Sequence, residues 1–476
     1  MLCVVIKGPS KADIEEQLNL SVQYADLVEL RLDLFDRIDL DALKVLRAKY
    51  SIPMIFTLRS KGQGGEYRGN EEERIRLLCS LAVLKPEYLD LEYDLPPSSI
   101  ASIVSVYSST NIILSYHNFV ETPRNLDAIY QTMQQIPAHF YKIAVMSHCT
   151  PDAMRLLCWT KGKAQENLIA VSMGIHGQIS RIVGPITGSF LTYACLEEQG
   201  QSPIGQIDAK RLVQRYHYKS LHPKSKIYGL IGDPIEYSVG DIVHNAVFKE
   251  EGIEAVYVKM RVQPDELASF LFLARQIPLS GLSVTMPLKE AILPFLDSIE
   301  PEAKEIGAVN TVQFHEGEFI GWNTDGIGAL DAIEQKLCVK GKHVLVIGAG
   351  GAAKAIIYEA SQRGAKVTVV NRNKDRAAEL ANRFGCACKA RGLDEMKDCY
   401  REGYDVLINS TPDEMPILAE HIIPGCCVMD IQTRSQNPLL LQHAFEKGCV
   451  IVEGRQMFLR QAEEQRRIWF SPSAII

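Results

Sequence analysis

The sequence predicts an α/β protein in which a closed (β/α)8 barrel precedes a two-lobed α/β half with a Rossmann-like lobe. Two observations support this prediction. Short apolar runs alternate eight times with amphipathic segments over about the first 215 residues. A strand, a glycine-rich turn, a helix and a second strand follow one another between His343 and Arg372. The first pattern is typical of a barrel, and the second is typical of a doubly wound parallel sheet.

Composition and charge are those of an ordinary globular protein. The 476 residues, 46% hydrophobic and 23% charged, suggest two to four domains at roughly 100 to 200 residues each. The net charge is −7 and residues 219–226 form the only noticeable basic cluster, so we expect neither a nucleic-acid nor a membrane partner. No stretch approaches the roughly 18 apolar residues of a membrane span, and the first apolar run is too short for a signal peptide. We expect a cytoplasmic protein.

The twelve cysteines are scattered along the chain without a C-x-x-C pair. Neither a zinc site nor a dithiol redox motif is therefore indicated, and we expect reduced thiols and no bound metal. Neither composition nor motifs indicate an oligomeric state.

The first half alternates apolar runs with helical segments. The eight apolar runs are residues 2–7, 27–34, 53–59, 88–93, 111–117, 140–146, 168–173 and 189–194. Segments between them, such as 11–24, 70–84, 124–135 and 151–161, have helical periodicity and residues that favour helix starts. Eight such repeats predict a barrel whose chemistry lies at the carboxyl ends of its strands.

Ionisable residues occur at those strand ends, where a purely structural strand has no use for them. They are Glu29, Arg31, Arg59, Glu92, His117 and Lys142. Lys142 is the most unusual, because Phe140, Tyr141 and Ile143 flank it in a run that should be buried. Burial disfavours the charged form and can lower a lysine pKa by several units, which supplies the neutral amine that a Schiff base requires. The alternative is a structural lysine that snorkels or pairs with a carboxylate.

Six fragments surround these residues. They are ELRLD at 29–33, TLRS at 57–60, YHNF around His117, YKIAVM around Lys142, MGIHGQISR at 173–181 and QSPIGQ at 201–206. Together they resemble type I 3-dehydroquinate dehydratase over nearly the whole first half. The resemblance implies that Lys142 forms an imine with the substrate ketone and that His117 is the general acid and base. It also implies substrate contacts at Glu29, Arg31, Arg59, Arg181, Ser202 and Gln206.

One position departs from that family's pattern. Gln63 stands where relatives often carry a glutamate in the glycine-rich loop after the third strand. A neutral amide can form hydrogen bonds but cannot exchange a proton, so an acid or base role at this position is in doubt.

A polar and basic segment, residues 214–226, separates the two halves. It has no apolar periodicity, and a new strand and helix pattern begins after it, so we expect each half to have its own core. The predicted divisions are a barrel at 1–216, a substrate-binding lobe at 226–325, a nucleotide-binding lobe at 326–452 and a C-terminal helix at 453–476 that returns toward the substrate lobe.

Polar residues in the second half concentrate in three places before the glycine turn. They are Tyr237-Ser238, the SVTMPLK segment at 283–289, and Asn310-Thr311 with Asn323-Thr324-Asp325. Such residues suit a small polyhydroxylated substrate. In isolation, turn chemistry is the better explanation of Asn323 to Gly326, and a helix start is the better explanation of Lys289.

The glycine turn itself indicates a dinucleotide site. It consists of Gly348, Ala349, Gly350, Gly351 and Ala352. Glycines are needed where backbone N–H groups and a helix N-terminus press against a pyrophosphate.

The second strand ends in Asn371-Arg372, where an NAD site would carry a carboxylate for the ribose 2′-hydroxyl. A guanidinium pairs with a 2′-phosphate, and Lys374 and Arg376 add positive charge, so we predict NADP(H); solvated charges at a helix start are the alternative.

Further fragments extend the pattern on both sides of this turn. They are VTMPLKE, GAVNTV, WNTDGIG, GAGGAAKA, VVNR, INSTP and GRQMFLRQA. Together they resemble shikimate dehydrogenase over almost the entire second half. The resemblance implies that Lys289 and Asp325 are the catalytic pair and that Asn409 to Thr411 line the nicotinamide side. It also implies substrate contacts at Ser238, Thr285, Asn310 and Gln461, and a cofactor contact at Gly454.

Three positions depart from the dehydrogenase pattern. Gly240 replaces a second serine, Ser283 replaces an asparagine, and the tyrosine expected after Asp430 is missing. These changes bear on substrate affinity more than on the type of reaction.

The two resemblances imply consecutive reactions of aromatic-precursor biosynthesis. The first half is expected to dehydrate 3-dehydroquinate to 3-dehydroshikimate through a Schiff base, and the second half to reduce that product to shikimate with NADPH. Enzymatic alternatives are an aldolase-like cleavage in the barrel and a preference for quinate. A non-catalytic metabolite sensor is the alternative of another class.

Overall fold

The structure, a computed structural model, describes residues 1–106, 109–163, 167–196, 205–385, 388–435 and 437–471, without the side chains of residues 105 and 106. The chain divides into two compact units. The first comprises Met1–Ile227, Asn245–Val262 and Ala268–Leu279. The second comprises Tyr228–His244, Gln263–Leu267 and Ser280–Ile476.

Eight parallel strands form the sheet of the first unit. They are β1 (Leu2–Ile6), β2 (Leu27–Arg31), β3 (Met54–Thr57), β4 (Tyr88–Glu92), β5 (Asn111–Asn118), β6 (Phe140–Met146), β7 (Leu168–Met173) and β8 (Thr192–Ala194). Neighbours in sequence are neighbours in the sheet, and β8 pairs with β1. Near the remaining gap, the Phe190 N–H donates to Leu168 O at 2.8 Å. The predicted barrel fold is confirmed.

The helices of the barrel alternate with its strands. They are α1 (Lys11–Ser21), α2 (Leu40–Lys49), α3 (Glu71–Val83), α4 (Pro97–Val106), α5 (Leu126–Gln134), α6 (Thr150–Gly162) and α7 (Gln178–Thr187). Side chains that accept from free N–H groups begin several of them: Ser10 and Asn70 form capping boxes, and Asp39 caps α2. Apolar side chains such as Val5, Ile55 and Ile169 fill the barrel interior.

Shorter elements follow the barrel. They are α8 (Ala209–Gln214), β9 (Lys226–Gly232), α9 (Gly240–Glu250), β10 (Ala255–Arg261), α10 (Leu267–Ala274), β11 (Leu279–Val284), α11 (Leu288–Ala291), β12 (Ser298–Ile299), α12 (Pro301–Ile306), β13 (Thr311–His315), β14 (Glu318–Trp322) and α13 (Asp325–Glu334). The second unit orders five of these strands as β9-β11-β13-β14-β12. β13 runs antiparallel to both β11 and β14, so this sheet is mixed.

A second sheet of six parallel strands completes the second unit. Its elements are β15 (His343–Ile347), α14 (Gly351–Gln362), β16 (Lys366–Asn371), α15 (Lys374–Phe384), β17 (Cys388–Gly392), α16 (Met396–Glu402), β18 (Val406–Asn409), β19 (Cys427–Asp430), α17 (Leu439–Glu446), β20 (Val450–Glu453) and α18 (Gly454–Phe470). The order β17-β16-β15-β18-β19-β20 reverses direction beside β15, where open α/β sheets bind ligands. Separate apolar clusters cover its two faces.

Two chemical properties of the chain follow from the described residues. None of their helices is both long and apolar enough to cross a membrane. Every cysteine among them is a free thiol.

Candidate active sites

Lys142 lies on β6 with its side chain buried in the barrel. Its side chain is 7% exposed, and Nζ donates to Asp90 Oδ2 at 3.3 Å and lies 3.7 Å from Glu29 Oε1. The ring of Tyr193 covers the same nitrogen, with 4.1 Å between Nζ and the ring centroid. The two carboxylates are thus the acidic neighbours of this buried nitrogen. The lysine is therefore both buried and paired.

Asp90 is the acceptor around which the other charges are arranged. One carboxylate oxygen accepts from Arg59 Nη2 at 2.9 Å and from Ser115 Oγ at 2.7 Å, while the other accepts from Lys142. Burial raises the pKa of Asp90, but the charges of Arg59 and Lys142 with the Ser115 hydrogen bond outweigh it, so the pKa lies below its ordinary value. Asp90 is thus an anion at working pH.

Two further carboxylates complete the buried charge network. Glu29 accepts from Thr57 Oγ1 at 2.8 Å. Glu92 lies 3.6 Å from Arg59 Nη1 and 2.9 Å from Arg74 Nη2. Cations and carboxylates thus alternate across the interior, and every charge of this network has an opposite neighbour.

His117 lies near the carboxyl end of β5, on the barrel face that holds Lys142. In the register of β5 and β6, Ser115 is opposite Lys142 and His117 is opposite Ala144, two residues further on. Side chains two residues apart in a strand share a face, so the imidazole follows the ammonium along the barrel interior. The ring stacks on Phe119 at a centroid distance of 5.9 Å and an angle of 9°.

The protonation state of His117 suits a general base. Burial lowers its pKa well below the ordinary value, and the positive charges of Arg59, Lys142 and Arg31 lower it further. The imidazole is therefore neutral at pH 7. Its Nδ1 atom is buried and has no hydrogen-bond partner within the described part of the chain. A buried polar atom of this kind is suited to a bound substrate.

The guanidiniums expected to bind substrate occupy different environments. Arg31 makes a two-pronged contact with Asp33, with Nε at 2.9 Å and Nη2 at 2.8 Å from its oxygens. Arg181, on α7, donates to Tyr193 O at 3.1 Å, and burial lowers its pKa to about 10. Arg59 is held by Asp90 at 2.9 Å.

The remaining expected barrel residues lie at the edge of this network. Gln206 accepts from Lys7 Nζ at 3.3 Å. Gln63 belongs to a short 3-10 turn, Lys61–Gln63, and its amide donates to Asp94 Oδ2 at 2.7 Å. Its Oε1 is buried and has no partner among the residues that the structure describes. Ser202 lies outside the described residues.

A second charged pair is formed by Lys289 and Asp325. Lys289 Nζ donates to Asp325 Oδ2 at 2.5 Å, and Asn310 Nδ2 donates to the other carboxylate oxygen at 2.8 Å. The same amide lies 3.4 Å from Gln461 Oε1. Asp325 is only 2% exposed, whereas the lysine side chain is 18% exposed. The structure thus brings four predicted residues into one hydrogen-bonded cluster.

Local turn chemistry fixes the carboxylate of this pair. Asn323 Oδ1 accepts from the Asp325 N–H at 3.0 Å, and Asn323 Nδ2 donates to Ala308 O at 2.7 Å. The Thr324 N–H donates to Asn310 Oδ1 at 2.8 Å. The turn and the site are therefore the same structure, and the two explanations considered from the sequence do not exclude each other.

The other expected substrate residues lie on the loops around β11 and before α9. Thr285 follows β11, and its N–H donates to Ile231 O at 2.9 Å. Ser238 Oγ accepts from the Gly240 N–H at 3.2 Å, which turns the chain into α9. Ser283 Oγ donates to Gln465 Oε1 at 2.9 Å, so the position that departs from the family pattern is joined to α18.

The glycine turn lies beside the charged pair. A Cβ placed on Gly351 would lie 3.3 Å from both Cβ and Cδ of Lys289, so the start of α14 packs directly on the lysine stem. Gly348 has φ of +115°, and a Cβ there would collide with Ser410. Glycine is required at Gly348 by its backbone conformation and by this close approach.

A cavity of about 500 Å³ opens at this turn. Its walls are Ile347, Gly348, Ala349, Gly350, Asn371, Arg372, Arg376, Leu393, Ser410, Thr411, Pro412, Asp413 and Pro416. Gly351 and Ala352 lie at the start of α14, and Gly454 lies at the start of α18, against the backbone of Gln432. These three expected cofactor residues do not line the cavity.

The charges in the cavity wall fit a dinucleotide phosphate. Arg372 and Arg376 have no carboxylate partner within the described ranges, whereas Lys374 pairs with Glu395 at 2.7 Å. The arginines are therefore available for a 2′-phosphate, and the turn at Gly350 presents backbone N–H groups to a pyrophosphate. The residues present thus fit NADP.

Asn409 fixes the opposite wall of this cavity. Its Oδ1 accepts from the Thr411 N–H at 3.0 Å, and its Nδ2 donates to Asp430 Oδ2 at 3.0 Å. Burial raises the pKa of Asp430 to about 6. The asparagine therefore orients Thr411 and does not itself line the cavity.

Four residues of these sites were not predicted. Asp90 and Glu92 are two residues apart in YLDLEY, so their side chains point to the same face of the strand. A second acid in a buried strand could therefore have indicated Asp90. Arg74 is a lone arginine in an amphipathic helix, and Tyr193 is one aromatic in a weak strand, so neither carries a signal. Gln465 follows Gln461 by one helical turn, which places both on one face of α18.

Comparisons with known families divide the chain in the same order. The type I 3-dehydroquinase model matches residues 2–223. The shikimate dehydrogenase substrate binding domain matches residues 230–312, and the shikimate/quinate 5-dehydrogenase model matches residues 331–440.

Curated relatives match nearly the whole chain. A bifunctional 3-dehydroquinate dehydratase/shikimate dehydrogenase of Arabidopsis thaliana chloroplasts is 38% identical, over 94% of this chain and 77% of its own length. The shikimate biosynthesis protein AroDE of Chlamydia pneumoniae is 33% identical, over 99% of this chain and 95% of its own length. A solved shikimate dehydrogenase in complex with NADP+ is 35% identical and superposes with a TM-score of 0.50, covering 52% of this chain and 91% of that one.

Proposed function

The chain belongs to the family of bifunctional 3-dehydroquinate dehydratases/shikimate dehydrogenases, and from this membership we propose which of its residues carry each reaction. It dehydrates 3-dehydroquinate to 3-dehydroshikimate and reduces that product to shikimate with NADPH, two steps of the shikimate pathway. Neither the sensor nor the quinate alternative is supported by these relatives. The observation that carries the residue assignment is the pair of lysines, Lys142 and Lys289, each beside a buried carboxylate.

In the dehydratase half, Lys142 supplies the nucleophile. The ammonium first loses a proton, for which Asp90 at 3.3 Å and Glu29 at 3.7 Å are the nearest acceptors. Nζ then adds to the ketone carbon and passes one proton to the carbonyl oxygen, which gives a carbinolamine. The proton held by the carboxylate returns to that hydroxyl, which leaves as water, and a protonated imine remains. The imine withdraws electrons from the neighbouring carbon, so a proton can be removed there.

His117 moves the remaining protons. Its neutral imidazole takes the proton from the carbon beside the imine, and the electron pair of that bond expels the β-hydroxyl, which leaves as water with a proton returned by His117. Hydrolysis of the imine consumes one water and restores Lys142. The net change is the loss of one water from the substrate.

The pH profile of the dehydratase checks the state of His117. Because burial and neighbouring cations lower its pKa well below 6.5, the base stays neutral as the pH falls from 7.5 through 6.5, and activity is lost only at lower pH. We expect the acidic limb of kcat/KM to have its midpoint below that of an ordinary histidine, about 6.5. A limb at or above 6.5 would contradict this assignment, provided that a His117→Asn variant is inactive.

In the dehydrogenase half, Lys289 and Asp325 handle the proton that accompanies reduction. The glycine turn and Arg372 would hold NADPH, which would supply the hydride for the substrate ketone. Lys289 stabilises the developing alkoxide and donates a proton to it, because its side chain packs on Gly351 of the glycine turn. Asp325 holds the ammonium in place, while Asn310 and Gln461 face the substrate hydroxyls from the other side of the carboxylate.

Arg372 determines the choice of cofactor. Arg372→Gln removes a charge-assisted contact with the 2′-phosphate, so KM for NADPH should rise about tenfold to a hundredfold while KM for NADH changes little. Initial rates of shikimate oxidation and 3-dehydroshikimate reduction with both cofactors provide the measurement. Lys374→Gln is the matched control, because that ammonium is already paired with Glu395. Equal losses for NADPH and NADH in the Arg372 variant would place the phosphate elsewhere.

One assay tests the coupled function. The pure chain is given 3-dehydroquinate and NADPH, and absorbance is followed for the enone product and for nicotinamide oxidation. We expect the enone absorbance to rise before NADPH absorbance falls. The amount of NADPH oxidised should not exceed the amount of enone formed. Nicotinamide oxidation without a dehydratase step would reject the assignment of the first half.

The sequence also supports proposals on domain limits and location. We retain the divisions 1–216, 226–325, 326–452 and 453–476 as functional parts of the chain. The free thiols of the described cysteines are typical of a reducing compartment and support a cytoplasmic location.

A further inference from the structure

Tyr193 stands over the reacting nitrogen of the barrel. It belongs to β8, where it pairs with Cys3 of β1, and its backbone oxygen accepts from Arg181 Nη1 at 3.1 Å. The ring centroid lies 4.1 Å from Lys142 Nζ, within the range at which a ring face attracts a cation. The side chain is therefore in contact with the atom that bonds to substrate.

The hydroxyl of the same residue is an unused hydrogen-bonding group. Tyr193 is 4% exposed, and its Oη has no partner within the described ranges. A buried hydroxyl without a partner is unfavourable in the empty site, and a tyrosine that only packed would be better replaced by phenylalanine. Burial raises the pKa of the hydroxyl, and the charges of Glu29, Cys3 and Asp90 raise it further, so the group is a protonated donor.

We propose that Tyr193 is a further catalytic residue of the dehydratase: its ring face stabilises the positive nitrogen of Lys142 through imine formation, and its hydroxyl donates a hydrogen bond to the bound substrate. The inference rests on the proposed role of Lys142. The protonated imine carries a positive charge on this nitrogen and is the species that borohydride reduces, so its stabilisation by the ring should be visible in the rate of trapping. The unpartnered hydroxyl distinguishes Tyr193 from a residue that only packs in the barrel core.

Two substitutions separate the contributions of the ring and the hydroxyl. Tyr193→Phe keeps the ring, so we expect borohydride trapping of the substrate on Lys142 at the wild-type rate and a loss of kcat/KM of about threefold to tenfold. Tyr193→Leu removes both the ring and the hydroxyl. In this variant we expect the loss of kcat/KM and also an about thirtyfold slower rate of trapping. Mass spectrometry of the adduct measures the rate of trapping. A merely structural role of Tyr193 would not change this rate at equal folded fraction.

Controls keep the outcomes distinct. Tyr88→Phe makes the same change at a tyrosine that packs on Phe140 inside the same barrel, and it should leave dehydration unchanged. Shikimate dehydrogenase activity of each variant reports the amount of chain, and thermal unfolding reports the folded fraction of the barrel. Wild-type kcat/KM in Tyr193→Phe would overturn the role of the hydroxyl, and undiminished trapping in Tyr193→Leu would overturn that of the ring. Absence of any adduct in the wild-type protein would instead reject the Lys142 mechanism itself.

Discussion

Replacement of Lys142 by methionine should abolish dehydration while the dehydrogenase activity of the same chain persists. Methionine keeps the length of the side chain but cannot form an imine, so we expect the dehydratase kcat to fall on the order of 10⁴-fold or more. Borohydride with 3-dehydroquinate should leave a covalent adduct on the wild-type lysine and none on the variant. Mass spectrometry of the intact chain and of its peptides provides the measurement.

The buried position of Lys142 requires a second variant. Removing its charge leaves Glu29 without its cation and Asp90 with Arg59 alone, and breaking a buried ion pair costs about 3–5 kcal/mol. Lys142→Arg keeps the charge and still forms no imine, so it should be inactive in dehydration and nearer to wild type in thermal unfolding. Retained turnover in either variant would end the imine mechanism.

Lys289→Met should lower the dehydrogenase kcat about 10²- to 10³-fold. The substitution removes the proton donor and the cation beside the developing alkoxide, and leaves Asp325 with Asn310 as its remaining partner. Steady-state reduction of 3-dehydroshikimate by NADPH measures the loss. The dehydratase activity of the same preparation should be unchanged.

Lys354→Met is a suitable control for that variant. Lys354 lies in α14 and pairs with Glu290, the residue next to Lys289, at 2.7 Å. It therefore belongs to the same surroundings without contacting Asp325. A comparable fall in kcat for both variants would show a general electrostatic effect and would argue against proton donation by Lys289.

Much of the fold was predictable because the strands of a parallel barrel are buried on both faces. Each of the eight apolar runs contains an observed strand. The boundaries were less predictable: β2 ends at Arg31 because residues 32–34 turn into a 3-10 helix. β8 begins only at Thr192 because Ser189 bonds to the backbone of Ala170 instead.

The site residues that could be predicted are those whose type is unusual at their place in the sequence. Residues that matter only through their ion pairs with distant residues were less predictable. Lys142 in an apolar strand and Arg372 after β16 could be recognised individually. Arg74 could not, because its importance depends on contacts between distant strands and helices, such as the bond from Arg74 Nη1 to Leu58 O at 3.0 Å. Burial of Lys142 and its pairing with a carboxylate were considered from the sequence as alternatives, and the structure shows both, with Asp90 and Glu29 as the partners.

The buried network of the barrel also constrains how this chain can change over generations. Its members are Lys142, Arg59, Arg74, Glu29, Asp90 and Glu92. Positive and negative members are equal in number, so loss of any one leaves an unbalanced charge in a water-poor interior, and loss of Lys142 leaves Glu29 without its cation. Single replacements are therefore costly here, and lineages that alter this network should do so by paired replacements, visible as correlated positions among descendants.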